Sequence, residues 1–253
     1  MIIVVLPAFN EALNLTELIP DIDRALKSEY RILLVDDGSS DQTLEVVAEF
    51  ASKYPVKLLR HASNRGLGVA IRTGITYALA LYKPSDILIT MDADNSHPPS
   101  QIPQMIKELE RSDIVIASRY VADSSVSGLS RFRHLISKLG GGALGTFFPA
   151  KEVRDYTSGY RAIKLSVIKD YYDKWGVLPI SSKGFPALGE LLIRLLAEGN
   201  IVREIPLNLR YDKKKGPSKL RLIPALVAYF ILIIKLLSER SIRLNLKKNL
   251  GKS

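Results

Sequence analysis

The chain has 253 residues, 47% hydrophobic and 25% charged, enough to bury a full core as one large domain or as a domain plus an appendage. It has no cysteine, which excludes disulfides, thiolate metal ligands and cysteine nucleophiles and fits a reducing compartment. The net charge of +10 sits in one quarter: residues 203–253 carry 13 Lys/Arg against 3 Asp/Glu, whereas the first 202 residues hold 23 of each sign. That asymmetry points to an anionic membrane surface or a nucleic acid as partner.

Residues 2–6 read as a buried strand ending at Pro7, and no secretory signal is expected to open the chain, because Met1-Ile2-Ile3-Val4-Val5-Leu6 lacks a basic leader and runs straight into Pro7. Asn10 is suited to N-cap a helix with Glu11 and Glu17 early and Leu13, Leu15, Leu18, Ile19 and Ile22 as apolar positions. A second strand at 31–35 ends in Asp36-Asp37-Gly38-Ser39-Ser40-Asp41, where Ser40 or Asp41 caps a helix through Phe50. Val56–Arg60 is the third strand; Asn64-Arg65-Gly66-Leu67-Gly68 and a helix to about residue 82 follow. The fourth strand, 87–91, leads to a helix near 100–111, and the fifth, Ile114–Ser118, ends in Arg119-Tyr120. Strands alternating with helices of this length predict βαβ units in an α/β fold with a mostly parallel sheet flanked by helices. The strand ends then bring residues 7–11, 36–38, 92–94 and Arg119 to one rim, where open α/β sheets bind ligands.

The fourth strand is the organising stretch. Its apolar run breaks into Asp92-Ala93-Asp94 before Pro98-Pro99. Two carboxylates at a strand's end suit Mg²⁺ or Mn²⁺, which take one or two carboxylates and leave other positions for phosphate oxygens. Caps for the next helix are the alternative reading of the same acids.

Beyond Arg119 the pattern loosens. Residues 121–129 read as a loop, and 130–148 as a helix carrying Arg131, Arg133 and His134 and interrupted by Gly140-Gly141-Gly142. Residues 156–163 and 201–209 are further strands, with a helix near 186–198 between them. A basic loop over 211–219 leads into an apolar segment, 222–237. Its 16 residues reach about 24 Å as a helix, short of a bilayer core of about 30 Å, and it contains Pro224 and Lys235, so it is not expected to span a membrane. Being apolar all round, it is expected to embed in a membrane interface, dock on the sheet domain or pair with a second copy. Flanking bases at Lys213–Lys215, Lys219, Arg221, Arg240, Arg243, Lys247 and Lys248 suit an anionic leaflet, at about 1 kcal/mol each. No aromatic side chains interleave with the basic residues after Tyr229 and Phe230, which argues against nucleic acid.

Six stretches carry a family likeness: Leu6-Pro7-Ala8-Phe9-Asn10-Glu11, Val35-Asp36-Asp37-Gly38-Ser39-Ser40-Asp41, Asn64-Arg65-Gly66-Leu67-Gly68, Met91-Asp92-Ala93-Asp94, Ala117-Ser118-Arg119-Tyr120 and Asp155-Tyr156-Thr157-Ser158-Gly159-Tyr160-Arg161. By their order and spacing the chain resembles family 2 glycosyltransferases of the GT-A fold, a Rossmann-like architecture. Within them it resembles the polyprenyl-phosphate (dolichyl-phosphate) mannose or glucose synthase group. The likeness covers roughly residues 1–220. The Gln-x-x-Arg-Trp motif of processive synthases is absent, and Trp175 is the only Trp.

The resemblance implies that Pro7, Ala8, Phe9, Glu11, Val35, Asp36, Asp37, Arg65, Gly66, Asp92 and Ala93 line a nucleotide-sugar slot, with a carboxylate accepting from base or ribose. It implies a divalent metal on Asp92 and Asp94, with Ser96 at the position where some relatives have a metal-binding Gln. Asp94, Arg119, Arg133 and Ser137 become the catalytic set. Arg119, Arg133, Ser137, Lys213, Ser218 and Lys219 match positions that grip the acceptor phosphate; Lys213 replaces the usual Arg and so offers a point charge in place of a fork. A lipid phosphate is already an anion and needs cations where a hydroxyl acceptor needs a base. The implied activity is inverting hexose transfer, mannose from GDP-mannose first and glucose from UDP-glucose next, to polyprenyl phosphate at the cytoplasmic membrane face. Residues 1–212 would form the transferase domain, with 213–253 as basic loop, interfacial helix and tail, working alone, as a homo-oligomer or with a membrane partner. Two alternatives stand beside it: the same fold acting on a non-lipid acceptor, and a catalytically silent membrane adaptor.

Overall fold

The computed structural model describes residues 1–128, 131–216 and 222–250, with side chains except at 131–137, 222–223 and 240–250. Four βα steps and a fifth strand open the chain: β1 (Ile2–Ala8), α1 (Ala12–Ala25), β2 (Tyr30–Asp36), α2 (Thr43–Ala51), β3 (Val56–Arg60), α3 (Leu67–Leu81), β4 (Ile87–Thr90), α4 (Ile102–Glu108) and β5 (Ile114–Ser118). Then come β6 (Ser125–Ser127), α5 (Arg131–Phe147), β7 (Arg161–Lys164), α6 (Leu165–Trp175), α7 (Ala187–Leu196), β8 (Val202–Pro206), β9 (Asn208–Arg210) and α8 (Leu222–Leu250).

Seven strands form one sheet in the order β3-β2-β1-β4-β7-β5-β8, and β6 pairs with β9 apart from it. All neighbours in the large sheet are parallel except β7, which runs antiparallel to both β4 and β5. Strands covered on both faces read as continuous apolar runs, as β1 does. Along β1, Ile3 and Val5 enter the apolar cluster with α3, α6, α7 and α8, whereas Val4 and Leu6 enter the opposite one with α1 and α4. The period of two thus distributes one strand between two cores.

Several expectations are corrected. Asn10 does not cap α1: it takes a left-handed φ of 53°, and its side-chain oxygen accepts from the N–H groups of Ser40 and Asp41. Asp41 bridges two helix starts instead, accepting from Ala12 N–H and Thr43 N–H. The single helix expected near 100–111 is a seven-residue α-helix, α4, between two 3₁₀ turns, Pro99–Gln101 and Leu109–Arg111. The expected strand over 156–163 is only Arg161–Lys164, because residues 155–160 fold around the Asp155 carboxylate. The expected strand over 201–209 is two, β8 and β9, parting at Leu207, whose N–H bonds Ser118 O. Helix α6, closed by Gly176 at φ 67°, occupies a stretch where the pattern predicts none. The loop expected at 121–129 contains the three-residue β6.

The glycine triplet does not interrupt α5, which runs through it; a Cβ on Gly140 would lie 3.4 Å from the Tyr229 ring, so the bare backbone gives α8 room to approach. Helix α8 continues past the apolar segment to Leu250. Ala225, Leu232, Ile233 and Leu236 bury against the body, whereas Val227, Phe230, Ile231 and Ile234, spaced i, i+3, i+4, i+7, remain 52–64% exposed. Among the described residues no helix is long and apolar enough to cross a membrane.

Candidate active site

The carboxyl ends of β1, β2, β4 and β5 open onto one cavity of about 410 Å³. Pro7, Ala8, Phe9 and Glu11 come to it from β1, Asp37 from β2, Asp92, Ala93, Asp94, Ser96 and His97 from β4, and Arg119 from β5. Gly66 closes one wall, and Thr157, Ser158, Gly159, Lys214 and Tyr229 close the other. Val35, Asp36, Arg65 and Lys213 do not line it. Asp36 is fully buried just behind the wall, one oxygen on Ser39 N–H and the other 3.7 Å from Arg60 Nε. The side chains of Arg133 and Ser137, and Ser218 and Lys219 altogether, lie outside the described residues.

Asp37 is heavily engaged. Its Oδ1 meets His61 Nδ1 at 2.6 Å and accepts from Arg65 N–H, and its Oδ2 accepts from Gly66 N–H at 2.8 Å. His61 meets Thr73 Oγ1 through its other nitrogen. The carboxylate therefore ties the 64–66 turn to β2. Gly66 sits at φ 97°, and a Cβ there would come 2.5 Å from Lys183 O, so glycine is required on both conformational and steric grounds.

At the β4 end, Asp94 Oδ1 accepts from Ser96 Oγ and N–H, at 2.5 and 3.1 Å, and Oδ2 receives the Lys214 ammonium at 2.6 Å. Burial pushes the Asp94 carboxyl up, but the Lys214 charge and the Ser96 bonds outweigh it and hold the group below the usual carboxylate range. Asp92 shifts the other way: burial raises it and outweighs the opposing effects of His97, Lys214 and Arg119, with the Asp94 charge adding to the rise. His97 turns Nδ1 toward the Asp92 N–H, accepting at 3.1 Å, and stacks on Tyr160 at 5.0 Å. A Cβ on Gly159 would lie 3.1 Å from Asp92 Oδ1, so glycine keeps space beside that carboxylate.

These observations bear on whether a divalent cation fits. Asp94 already holds a cation, and Asp92 faces a bare glycine across the cavity. Among the described residues no group of three or more His, Asp or Glu forms a full metal cage, so a cation here would draw the rest of its shell from water and phosphate oxygens, as Mg²⁺ commonly does. The residues fit such an ion; Asp92 and Asp94 would hold it, and Ser96 is committed to Asp94.

Arg119 lines the same cavity from the end of β5. Its Nε and Nη2 make a two-pronged bond to Asp155, at 2.8 and 2.7 Å, and Nη2 also donates to Thr157 Oγ1. Burial disfavours the Asp155 charge, yet the guanidinium beside it holds the carboxyl below its ordinary value. Asp155 also accepts from Thr157 and Ser158 N–H, so it orients the whole wall. Arg161, fully buried, fastens the same loop to α7 through the carbonyls of Tyr156 and Leu188. Glu190 accepts from Ser181 and Ser182 N–H and pairs with Arg194. Neither Asp155 nor Glu190 lines the cavity: Asp155 holds residues that do, and Glu190 ties down the 181–182 turn behind them. Lys214, Thr157 and Tyr229 are wall residues that the sequence pattern did not single out. A run of three lysines gives no sign of which one turns inward.

The family described as glycosyl transferase family 2 matches residues 3–172. A Pyrococcus furiosus protein named dolichol-phosphate mannosyltransferase is 36% identical over 222 residues, 86% of this chain and 58% of its own length. A Mycolicibacterium smegmatis protein named polyprenol monophosphomannose synthase is 30% identical over 221 residues, 86% of this chain and 80% of its own. Among solved structures, glucosyl-3-phosphoglycerate synthase from Mycobacterium tuberculosis with phosphoglyceric acid aligns with a TM-score of 0.65 at 22% identity, over 95% of this chain and 79% of that one. That likeness is one of fold, and it agrees with the GT-A architecture. With acids at the end of β4 and an arginine at the end of β5 lining one cavity, and a family match over most of the sheet, the chain belongs to glycosyl transferase family 2.

Proposed function

We propose that the protein is an inverting, metal-dependent glycosyltransferase that moves a hexose from a nucleotide sugar to a polyprenyl phosphate. GDP-mannose is the first candidate donor and UDP-glucose the second. The observation that carries the reading is one cavity lined together by the carboxylates Asp92 and Asp94 and the guanidinium of Arg119. A bound Mg²⁺ or Mn²⁺ would offset the charge that builds on the departing nucleoside diphosphate. The chain's own residues do the rest. Pro7–Phe9 and the 64–66 turn, tied down by Asp37, bound the nucleotide end. Arg119, held rigid by Asp155, presents positive charge to an acceptor phosphate oxygen that needs no base. Holding both anions in one cavity supplies proximity for in-line attack at the sugar's C1.

The names of the two relatives support a lipid-phosphate acceptor. So does the exposed Val227, Phe230, Ile231, Ile234 stripe of α8, on the helix whose Tyr229 closes the cavity. In this reading residues 1–212 carry donor chemistry and residues 213–253 bring the cavity to the cytoplasmic leaflet, with Arg133, Ser137, Ser218 and Lys219 completing the grip on phosphate.

The test is donor turnover with Mn²⁺ or Mg²⁺, each nucleotide sugar in turn, with and without polyprenyl phosphate in detergent. The expected result is nucleoside diphosphate release only with lipid, abolished in Asp94→Ala. Release indifferent to lipid would assign another acceptor, and no release with any donor alongside intact vesicle binding would favour the silent adaptor.

A further inference from the structure

Three consecutive lysines follow the 3₁₀ turn Tyr211–Lys213 or lie in it, and the fold treats each differently. Lys213 is exposed. Lys215 pairs at the surface with Glu17, at 2.7 Å, both side chains more than 40% exposed. Lys214 turns inward: its side chain is 10% exposed, its Nζ lies 2.6 Å from Asp94 Oδ2, and it rests 5.3 Å from the centroid of the Tyr211 ring.

This placement is built by contacts on both sides. The Lys215 backbone is clamped in both directions by one side chain, donating its N–H to Asn14 Oδ1 at 2.9 Å and accepting from Asn14 Nδ2 at 3.0 Å. Asn14 is 1% exposed and also donates to Glu11 Oε2. The segment before α8 is therefore strapped onto α1, two hundred residues away, in the register that delivers Lys214 to the β4 acids. At Asp94 the choice of oxygen matters. Ser96 occupies Oδ1, which leaves Oδ2 as the oxygen able to face a cation in the cavity, and Lys214 holds it.

A divalent ion sits about 2.1 Å from a ligating carboxylate oxygen. With the ammonium on that same oxygen, two cations would stand within about 4 Å of each other in a partly buried site, where repulsion is weakly screened. We propose that Lys214 is a further residue of the donor site: with no donor bound, its ammonium takes the cation's place on Asp94, and it yields when a nucleoside diphosphate enters with the metal. The flexible four-carbon stem lets the charge swing from carboxylate to phosphate. The metal alone then binds poorly, and metal and nucleotide bind each other's complex better than the free protein, by the same factor in each direction.

The inference rests on the reading of Asp92 and Asp94 as the metal site, and the experiment separates the two. Mn²⁺ binding to the full chain is followed by the electron paramagnetic resonance of free Mn²⁺, first without nucleotide and then with GDP or UDP. The proteins are wild type, Lys214→Met, Lys214→Gln, Lys215→Met and Lys214→Met/Asp94→Ala, each checked for native circular dichroism. Both Lys214 variants should bind Mn²⁺ alone at least about tenfold more tightly than wild type and lose a similar factor of the nucleotide's enhancement. Lys215→Met, which removes an equal charge from the surface of the same strap, should bind like wild type. Unchanged or weaker binding in both Lys214 variants overturns the proposal while leaving the metal site standing. Mn²⁺ binding that persists in the double variant, or is absent from every protein with and without nucleotide, removes the metal site itself and the proposal with it.

Discussion

On the β1–β2–β4 side of the cavity, the acids are positioned by groups from the first hundred residues. Asp94 is set by Ser96 two positions on, and Asp37 by His61 and the 65–66 amides. On the β5–α8 side the wall depends on partners distant in the chain: Arg119 on Asp155, the Lys214 ammonium on Asp94 and the Lys215 backbone on Asn14, 36, 120 and 201 residues away. The first side is a strand-end constellation that the parallel sheet assembles as it forms. The second is a set of buried pairings, each of which leaves an uncompensated group when one member is lost, and such pairs are more costly to break than to omit.

Substitutions sharpen this contrast. The largest functional effect is expected from Asp94→Ala, on the locally built side: nucleoside diphosphate release falls about 10³-fold while the far-ultraviolet circular dichroism stays native. Retained turnover would break the assignment of the β4 acids. Across the cavity, Asp155→Ala should instead cost stability, about 3–5 kcal/mol in urea unfolding, because it strands the buried Arg119 guanidinium and the Thr157 and Ser158 amides. A loss of turnover with no shift in the urea midpoint would mean that Arg119 keeps its place without Asp155.

Glu190 extends the same comparison behind the wall. Burial disfavours its charge, but bonds from Ser181 and Ser182 outweigh that and lower its pKa from 4.5 to about 2. A carboxyl depressed on folding stabilises fully above its unfolded value, and that contribution fades as pH falls toward the folded one. Glu190→Gln should therefore cost about 3 kcal/mol at neutral pH, with the gap to wild type closing between pH 4.5 and about 2. A gap that stays constant through that range, in urea titrations at stepped pH, would sink this account.

The smallest effect is expected at the outer face of α8. Replacing Phe230 and Ile231 by serine should weaken binding to anionic vesicles about tenfold and leave Mn²⁺ and nucleotide binding alone, since both side chains point away from the core. Unaltered vesicle binding, measured by sedimentation, would assign the stripe to another contact.

Much of the first half was legible before any coordinates. Apolar runs such as Ile2–Leu6 and Ile114–Ser118 alternate with amphipathic stretches, and parallel sheets put strand ends on one rim by geometry alone. The strands β1 to β5 lie where the pattern places them to within two residues, and Asp92, Asp94 and Arg119 meet as strand ends must. The misses share a cause. Asn10 has the chemistry of an N-cap, but a left-handed backbone and the neighbouring Ser40 and Asp41 amides draw its side chain elsewhere. Residues 156–160 have strand-like composition, but the Asp155 carboxylate collects their amides into a loop. The Gly140–Gly142 run has the composition of a break, yet α5 runs through it, with Gly140 lying against the Tyr229 ring.

The sequence by itself determined the alternating α/β order, the acidic strand ends and the concentration of positive charge after residue 203, because each is a local pattern with a local physical cause. Only the tertiary structure decided which of three adjacent lysines reaches Asp94, that Asp155 serves Arg119 without lining the cavity, and which face of α8 stays uncovered. Those outcomes depend on contacts across tens to hundreds of residues, where the energy of burial and pairing overrides whatever each segment would prefer alone.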